Sequence, residues 1–581
     1  SFVIGDAYEV RTTKAYEETG PRLTPIYEKW TPTARLAIFD NFPWARGAEG
    51  FHWGTSQLGL EQPAPAQYWL EQDGSAGTPI IEYDGNDEKL DYLLYDVTTV
   101  GLQLRRPAQV AIVGTGGGRD IHSARLTGAE RIDAIELNAG IVEALRGPFK
   151  SFAGGVYDLP GVHTIIGEAR SVLTRSEQRY DLVLLSMIDS WAATAAGAYT
   201  LSENNLYTLQ AYRLYWSRLS ATGIVSTSRW MGFESMRLLM LVKAALEAEG
   251  VSVPRDHIAL VHAGRVGTLL MSRSPFGPNQ IAKLQEICAT RGFELDYPAA
   301  ATPDLALGVA ALLDAGPQKF ASIGLRLEPP TDDAPFFFQL VSPLSRLDDK
   351  TVQLGGFNAE GVVALQTLMI TMVIVTLVLF FAPLGASRWL PRQPGFWRGS
   401  LFFLCIGLAF MFVELSWLQR FILYLGHPSL AVAVTVGCLL LGAGLGSIVS
   451  GRLGLPRAGR WGWLAPLIIS LLNLAITPLF SATLGWPSAA RIVVTGLALA
   501  PAGFTMGMFF PLGMVRFGDA HKAWFWAVNG AAGVLASVVS LALAMELGFA
   551  AVGIMGAVAY VLAWLLLALP RSPTGATVLP S

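Results

Sequence analysis

Residues 107–140 read PAQVAIVGTGGGRDIHSARLTGAERIDAIELNAG, and this stretch decides the fold of the first half of the chain. Gln109 to Val113 is a short apolar run of strand length. Gly114, Gly116 and Gly118 follow at alternate positions. A turn of that kind lets backbone approach a ligand with no Cβ in the way. Ile121 to Leu126 reads as the next helix. Arg131 to Leu137 reads as the next strand, with Glu136 near its carboxyl end. Ligands of open parallel sheets bind at that edge, where an acid accepts the hydroxyls of a ribose. Strand, glycine turn, helix, strand and acid together predict a nucleoside pocket. The alternative is a packing turn with Glu136 merely solvated. No Gly-Lys-Ser/Thr follows, so the turn is not a P-loop.

Further along, Val162 to Ile166 is another strand, followed by Gly167-Glu168-Ala169-Arg170. Tyr180 to Leu185 is a buried strand that runs into Ser186-Met187-Ile188-Asp189-Ser190-Trp191. A loop from Ala192 to Ser202 leads to a helix expected to open around Glu203-Asn204-Asn205-Leu206-Tyr207. Gly223 to Thr227 is a further strand. Residues 1–80 are rich in Pro, Gly and Trp, and are expected to form a β-rich lid or docking segment.

The whole chain of 581 residues is 52% hydrophobic and only 15% charged. Soluble domains carry about 25% charged residues. The shortfall excludes an all-soluble enzyme, a disordered chain and a coiled coil. The net charge of −3 offers no basic surplus for nucleic acid. The three cysteines lie far apart, which excludes a disulfide framework and a cysteine zinc site. The apolar excess sits after Lys350. Runs near 361–382, 400–424, 430–450, 462–484, 491–514, 523–546 and 548–569 are each long enough to cross a hydrocarbon layer of about 30 Å. The expected organisation is therefore an α/β domain over 81–345, a linker at 346–360, a bundle of seven membrane helices over 361–570 and a tail at 571–581.

Loop charges orient such a chain, because cytoplasmic loops carry the excess of Lys and Arg. If residues 1–350 lie on side A, side B holds nine positive residues, from Arg388 to Arg571. Side A holds four, namely Arg346, Lys350, Arg420 and Arg491. Side B is then cytoplasmic, and the α/β domain faces away from the cytoplasm. The chain starts at Ser1 rather than Met, which is read as processing or a missing upstream part.

The order VAIVGTGGG, AIELN, IIGEAR, YDLVLLSMIDS and ENNLYTLQAY resembles the spermidine and spermine synthase-like proteins, a branch of the S-adenosylmethionine methyltransferase fold. The resemblance covers about residues 80–240. The membrane-fused bacterial branch is similar in further stretches: WAATAAGA at 191–198, TDDAPFFF at 331–338 and MFVELSWLQRFILYLGHP at 411–428. It implies a Rossmann-like α/β domain of methyltransferase type, a bacterial inner membrane location, and S-adenosylmethionine or its decarboxylated form as donor. Gly114, Gly116 and Gly118 would cradle the donor's amino-acid and ribose part. Glu136 would hold the ribose hydroxyls, and Glu168 and Ala169 would border the adenine. Asp189 matches the second acid of the family's D-x-x-D-P signature. The first acid, which orients the attacking amine, is Ser186 here, and the proline is Ser190.

That departure bears on chemistry. Attack on a sulfonium carbon needs a neutral amine, and a nearby carboxylate takes up the proton. Serine cannot replace it; Asp189 alone either suffices or only caps a loop. Aminopropyl transfer, another alkyl transfer such as methyl, and a domain that serves only as a scaffold in a membrane assembly are three separate expectations. Trp191, Tyr199 and Tyr207 are candidate pocket residues, with a place in the core as the alternative. The seven histidines show no paired-ligand spacing, so no metal site is expected. His122 either approaches the cosubstrate or lies on the surface of a helix.

In the membrane segment, Glu414 stands in mid-span, where a carboxylate is costly and a functional candidate. It is expected to be protonated, or to be hydrogen-bonded to Asn473 or Asn529. Gly442, Gly446 and Ser450 recur at the small-xxx-small spacing that lets helices approach closely, inside the bundle or against a partner. Pro501, Gly503 and Pro511 are expected to break the fifth span. Broken helices can mark transport sites, so a transporter is the third functional class. The partners expected are the lipid bilayer and either other membrane proteins or a second copy of the chain.

Overall fold

The structure is a computed structural model; it describes residues 24–31, 34–40, 54–74, 76–188, 204–298, 303–318, 325–344, 357–386, 395–426, 428–518 and 521–569. The chain forms two compact units, Ser1–Val341 with Asp348–Gly361, and Ser342–Leu347 with Val362–Ser581.

The first unit opens with a small antiparallel sheet of β1 (Tyr27–Trp30), β2 (Arg35–Phe39), β3 (Gln67–Gln72) and β4 (Ala76–Ile81), in that order. A larger sheet holds β5 (Gln109–Val113), β6 (Arg131–Glu136), β7 (Val162–Ile166), β8 (Tyr180–Ser186), β9 (Leu219–Trp230), β10 (Ile258–Ala263), β11 (Val266–Ser272) and β12 (Glu294–Tyr297). Its order is β12-β10-β11-β9-β8-β5-β6-β7. The five strands from β7 to β9 are parallel, and β11 pairs antiparallel with β9. Strands covered on both faces read as continuous apolar runs. Accordingly Val110 to Ile112 and Leu182 to Leu185 are fully buried.

The chain runs from β5 outward through β6 and β7, then returns to β8 on the other side of β5. The strand order reverses there, at the carboxyl ends of β5 and β8, the place in such sheets where ligands bind. This is the Rossmann-like, methyltransferase-type arrangement. Four crossover helices position that edge: α1 (Arg119–Leu126), α2 (Ala139–Arg146), α3 (Ala169–Arg175) and α4 (Leu209–Arg218). A fifth, α5 (Phe233–Ala248), follows β9.

Two elements differ from expectation. β9 is far longer than Gly223–Thr227, because it is paired on both sides, by β8 and β11. The helix expected around Glu203–Tyr207 starts later, at Leu209. Asn204 closes a turn by accepting from Leu206 N, and the Thr208 hydroxyl caps α4 by accepting from Ala211 N at 3.2 Å.

Among the described residues the second unit has seven helices long and apolar enough to cross a membrane, at Gly361–Leu379, Phe396–Leu425, Ser429–Pro456, Gly459–Thr483, Ser488–Phe517, Lys522–Leu547 and Phe549–Ala568. They support a multi-pass membrane protein. The helices used below are α6 (Phe357–Ala386), α7 (Phe396–Leu425), α8 (Pro428–Ala458), α9 (Leu464–Thr483), α10 (Ser488–Gly507), α11 (Phe509–Phe517), α12 (Lys522–Leu547) and α13 (Phe549–Ala568). The fifth span is interrupted at Met508, between α10 and α11. Pro511 has no N–H for the Gly507 carbonyl one turn back, which accounts for the break. Pro501 stays inside α10.

The small-residue question resolves within the unit: α8 packs on α10. A Cβ on Gly442 would stand 2.6 Å from Ala500 O, and one on Gly446 1.8 Å from Phe504 O. Facing them, a Cβ on Gly503 would meet Leu439 O at 2.5 Å.

The structure shows neither of the hydrogen bonds that were one alternative for Glu414. Asn473 Oδ1 accepts from Trp417 Nε1 and from Arg420, whose other nitrogen donates to Thr477. Glu414 makes no hydrogen bond with Asn473, Asn529 or any other group among the described residues. Asn473 serves the turn of α7 that carries Trp417 and Arg420, while the Asn529 backbone lies against Gly407, about two turns before Glu414.

Candidate functional site

The turn from β5 into α1 uses left-handed backbone at Gly114 (φ 71°), Gly116 (φ 50°) and Gly118 (φ 90°). On its inner side the protein itself approaches closely: a Cβ on Gly117 would stand 2.0 Å from Pro79 O, and one on Gly118 2.6 Å from Val156. On its outer side Gly114 is exposed and Gly116 half-buried, although both follow a fully buried strand. The Tyr157 hydroxyl donates to Gly116 O at 2.7 Å and holds the turn from behind.

Glu136 ends β6 beside this turn and is only 5% exposed. Its Oε2 accepts from Gly116 N at 3.0 Å, and its Oε1 from Asn138 N at 2.9 Å. Burial raises its pKa, and the N–H groups of Asn138 and Gly116 act against that rise. Two strong donors leave a carboxylate with lone pairs still free to accept, since its two oxygens offer about four. The neighbouring strand ends are apolar and open: Leu137 is 39% exposed and Ile166 52%. Exposed leucine and isoleucine at the edge of a buried sheet suit the face of a planar base.

Glu168 and Ala169 stand at the start of α3. The Glu168 carboxylate is turned onto the helix as its N-cap, accepting from Arg170 N at 2.9 Å and Ser171 N at 2.7 Å. Ala169 is buried. Ser186 ends β8, beside the glycine turn, since Val113 pairs with Leu185. The next residue, Met187, has φ 52°, a strained value for a side chain with a Cβ. Tyr207 is fully buried, the place in the core given as the alternative to lining a pocket. Its hydroxyl donates to Ile188 O at 2.9 Å, and its ring stacks on Phe337 at 4.8 Å. Asp189, Trp191 and Tyr199 lie outside the described residues.

Three groups at this edge were not singled out from the sequence. Asp120, the second residue of α1, is nearly buried. Arg229 is fully buried, pairs with Glu234 at 2.7 Å and lies over the Phe338 ring at 4.7 Å. Asp332, in the TDDAPFFF stretch, takes a bidentate pair from Arg170, 2.7 Å on each nitrogen, and a hydrogen bond from Thr208 at 2.7 Å. That stretch also hangs on Arg237, which donates to the carbonyls of Glu328, Phe336, Phe337 and Gln339. The acids of TDDAPFFF were visible in the sequence, but their partners lie over a hundred residues away. His122 is not on the helix surface: it is 2% exposed, with its ring 4.8 Å from that of Tyr83. Its place on the inner face of α1 explains the difference. Among the described residues no cluster of His, Cys, Asp and Glu could hold a metal.

No family model matches the chain. Among curated proteins it is similar to a polyamine aminopropyltransferase of Korarchaeum cryptofilum (strain OPF8), 24% identical over 140 residues, which is 24% of this chain and 41% of that protein. It is also similar to polyamine aminopropyltransferase 2 of Hyperthermus butylicus, 22% identical over 195 residues, 33% of this chain and 59% of that one. The chain thus spans about half the length of the curated relatives it matches. Among solved structures, the spermidine synthase from Thermotoga maritima aligns with 15% identity and a TM-score of 0.32, over 52% of this chain and 100% of that one. A spermidine synthase in complex with the transition state analogue AdoDATO aligns with 16% identity and a TM-score of 0.31, over the same shares of each. By its strand order, its glycine turn and its sequence similarity to aminopropyltransferases, the first unit is a spermidine synthase-like α/β domain, carried on one chain with seven helices apolar enough to span a membrane.

Proposed function

We propose that the α/β unit binds an S-adenosylmethionine-type donor and transfers an alkyl group from it, with decarboxylated S-adenosylmethionine and aminopropyl transfer as the leading version. One arrangement carries this reading: exposed Gly114 and half-buried Gly116, the buried Glu136 carboxylate, and exposed Leu137 and Ile166, side by side on three adjacent strand ends. A flexible backbone, a fixed acceptor and apolar faces fit an amino-alkyl chain, a ribose and an adenine in that order. The similarity to polyamine aminopropyltransferases supports the aminopropyl version. When bound, the donor supplies a sulfonium that makes its attached carbon electrophilic. The protein's part is to fix the ribose through Glu136, to cover the base, and to present an acceptor beside Ser186.

The test is calorimetry on the full chain in detergent, titrated with S-adenosylmethionine and with its decarboxylated form. Binding of at least one is expected. Glu136→Ala should remove it, because the mutation deletes a charged hydrogen-bond acceptor worth about 1.5–3 kcal/mol and frees Gly116 N. No heat with either ligand would overturn the reading. The second reading, a scaffold subunit that has kept the fold without catalysis, draws support from one residue, Ser186 where the resembling family has a carboxylate. It predicts that neither ligand binds and that the protein copurifies with other membrane proteins.

A further inference from the structure

The carboxylates around these strand ends are nearly all engaged. Glu136 holds Gly116 N and Asn138 N, and Asp332 holds Arg170 and Thr208. Asp96 takes Arg119 at 2.7 Å, together with the backbone and hydroxyl of Thr98. Glu136, with two donors, keeps lone pairs for the ribose, while Asp332 and Asp96, each bound to an arginine and further donors, have little left for a substrate. Asp120 differs. The groups that act on it are the Arg119 charge, the Ser186 hydroxyl and the Asp96 carboxylate. Burial raises its pKa, Arg119 and Ser186 act against the rise, and Asp96 adds to it. The Ser186 oxygen is buried and outside ordinary hydrogen-bond geometry with any described group.

The two residues face one another from different elements. Ser186 ends β8 beside the glycine turn, and Asp120 lies in the first turn of the helix that leaves it. An aspartate at 186 would carry its carboxylate one bond beyond the serine hydroxyl. The serine oxygen already neighbours Asp120, so that shortening brings the two groups' positions close together in space.

We propose that Asp120 supplies, from the start of α1, the acceptor-binding carboxylate that position 186 lacks, and that the acceptor is a primary amine. This rests on the transferase reading. The amine binds as an ammonium against Asp120. In transfer the neutral amine's lone pair forms the new C–N bond, and the C–S bond breaks with its electron pair on sulfur. The proton that the bound ammonium gives up to become neutral passes beforehand to the Asp120 carboxylate, and the product leaves as a secondary ammonium, so charge and atoms balance without another reactant.

The test uses the full chain in detergent, saturated with methylthioadenosine, the thioether left by aminopropyl transfer, and titrated with 1,4-diaminobutane. Wild type should bind the diamine. Asp120→Asn should weaken that binding about tenfold or more, the loss of one charged hydrogen bond, with nucleoside affinity unchanged. Ser186→Asp placed in the Asp120→Asn chain should restore it, which a merely structural role for Asp120 would not allow. Asp120→Glu, which keeps the charge, should retain binding and guards against misfolding of the amide variant. Diamine binding unaffected in Asp120→Asn would overturn the proposal while leaving the donor reading standing. So would a wild type that takes the nucleoside but no diamine. A wild type that takes no nucleoside would overturn both.

Discussion

His122 shows how burial sets chemistry at a single residue. Its desolvation brings the imidazole pKa down from 6.5 to about 4. Below pH 6.5 the unfolded chain takes up a proton that the folded one refuses. The stability His122 contributes is therefore intact above pH 6.5 and lost as pH falls toward 4, by up to about 3 kcal/mol. The raised carboxyls Glu136 and Asp120, and His262, raised by its hydrogen bond to Asp296, have the opposite sign. The expected observation is thus a difference: His122→Phe should show a flatter fall in melting temperature than wild type between pH 6.5 and 4. Arg237 makes a second residue-scale case. Its guanidinium satisfies three buried carbonyls and the part-buried one of Glu328, so Arg237→Ala should cost about 3 kcal/mol or more in denaturant unfolding of the first unit. At this scale the sequence was legible where chemistry is local. The glycines and Glu136 follow from positions a few residues apart. Asp120, Arg229 and Arg237 acquire meaning only from partners brought in by other strands and helices. His122 had no signal but its place on α1, whose inner face could not be told from its outer one over eight residues.

Among the elements, four of the five parallel strands, β5 to β8, fell where the pattern put them, β5 and most of β8 as apolar runs between turns. β9 was underestimated because its outer residues owe their extension to β11, a pairing across about forty residues. The start of α4 was misplaced because Asn and Thr stabilise turns and caps alike until their bonds are known. In the second unit the spacing of Gly442, Gly446 and Ser450 announced a close helix contact, and only the structure shows that α10 fills it. That contact gives a sharp contrast. Gly446→Ala would drive a Cβ into Phe504 O, whereas a Cβ on Gly444, on the same helix, meets nothing within 4 Å. Gly446→Ala should lower the melting temperature in detergent by several degrees, matching an overpacking cost of about 1–3 kcal/mol. Gly444→Ala should leave it unchanged or raise it slightly, since alanine is the better helix former. Equal effects would mean that α8 and α10 do not meet along this seam.

For the whole molecule, the sharpest expectation is the side of the membrane on which the α/β unit lies. The structure revises the charges on which it was argued. Arg420 and Arg491 are not loop residues: both are buried within helices, Arg420 bonded to Asn473 and Thr477, and Arg491 to Tyr424 O at 2.6 Å. They leave the count for side A and do not orient the chain. On side B, Arg398 and Arg516 both donate to Leu569 O, at the end of α13. They are interfacial positive charges at a helix C-terminus, where cations are stabilising. The expectation of a cytoplasmic side B therefore rests on the remaining charges. Seven spans would put the α/β unit on the side opposite the C-terminal tail. Cys288 and Cys405 are buried and Cys438 half-buried, so an introduced thiol should stand out. With Gly250→Cys, on an exposed turn of the first unit, a membrane-impermeant maleimide applied to intact cells should label the chain, while a cysteine placed in the tail after residue 571 should react only after permeabilisation. The reverse pattern would show the α/β unit facing the cytoplasm, where an adenosine-bearing sulfonium is made. The labelling result thus also weighs the two functional readings: external labelling together with donor binding would require that the donor be supplied across the bilayer, and external labelling without it would leave the fold as a scaffold.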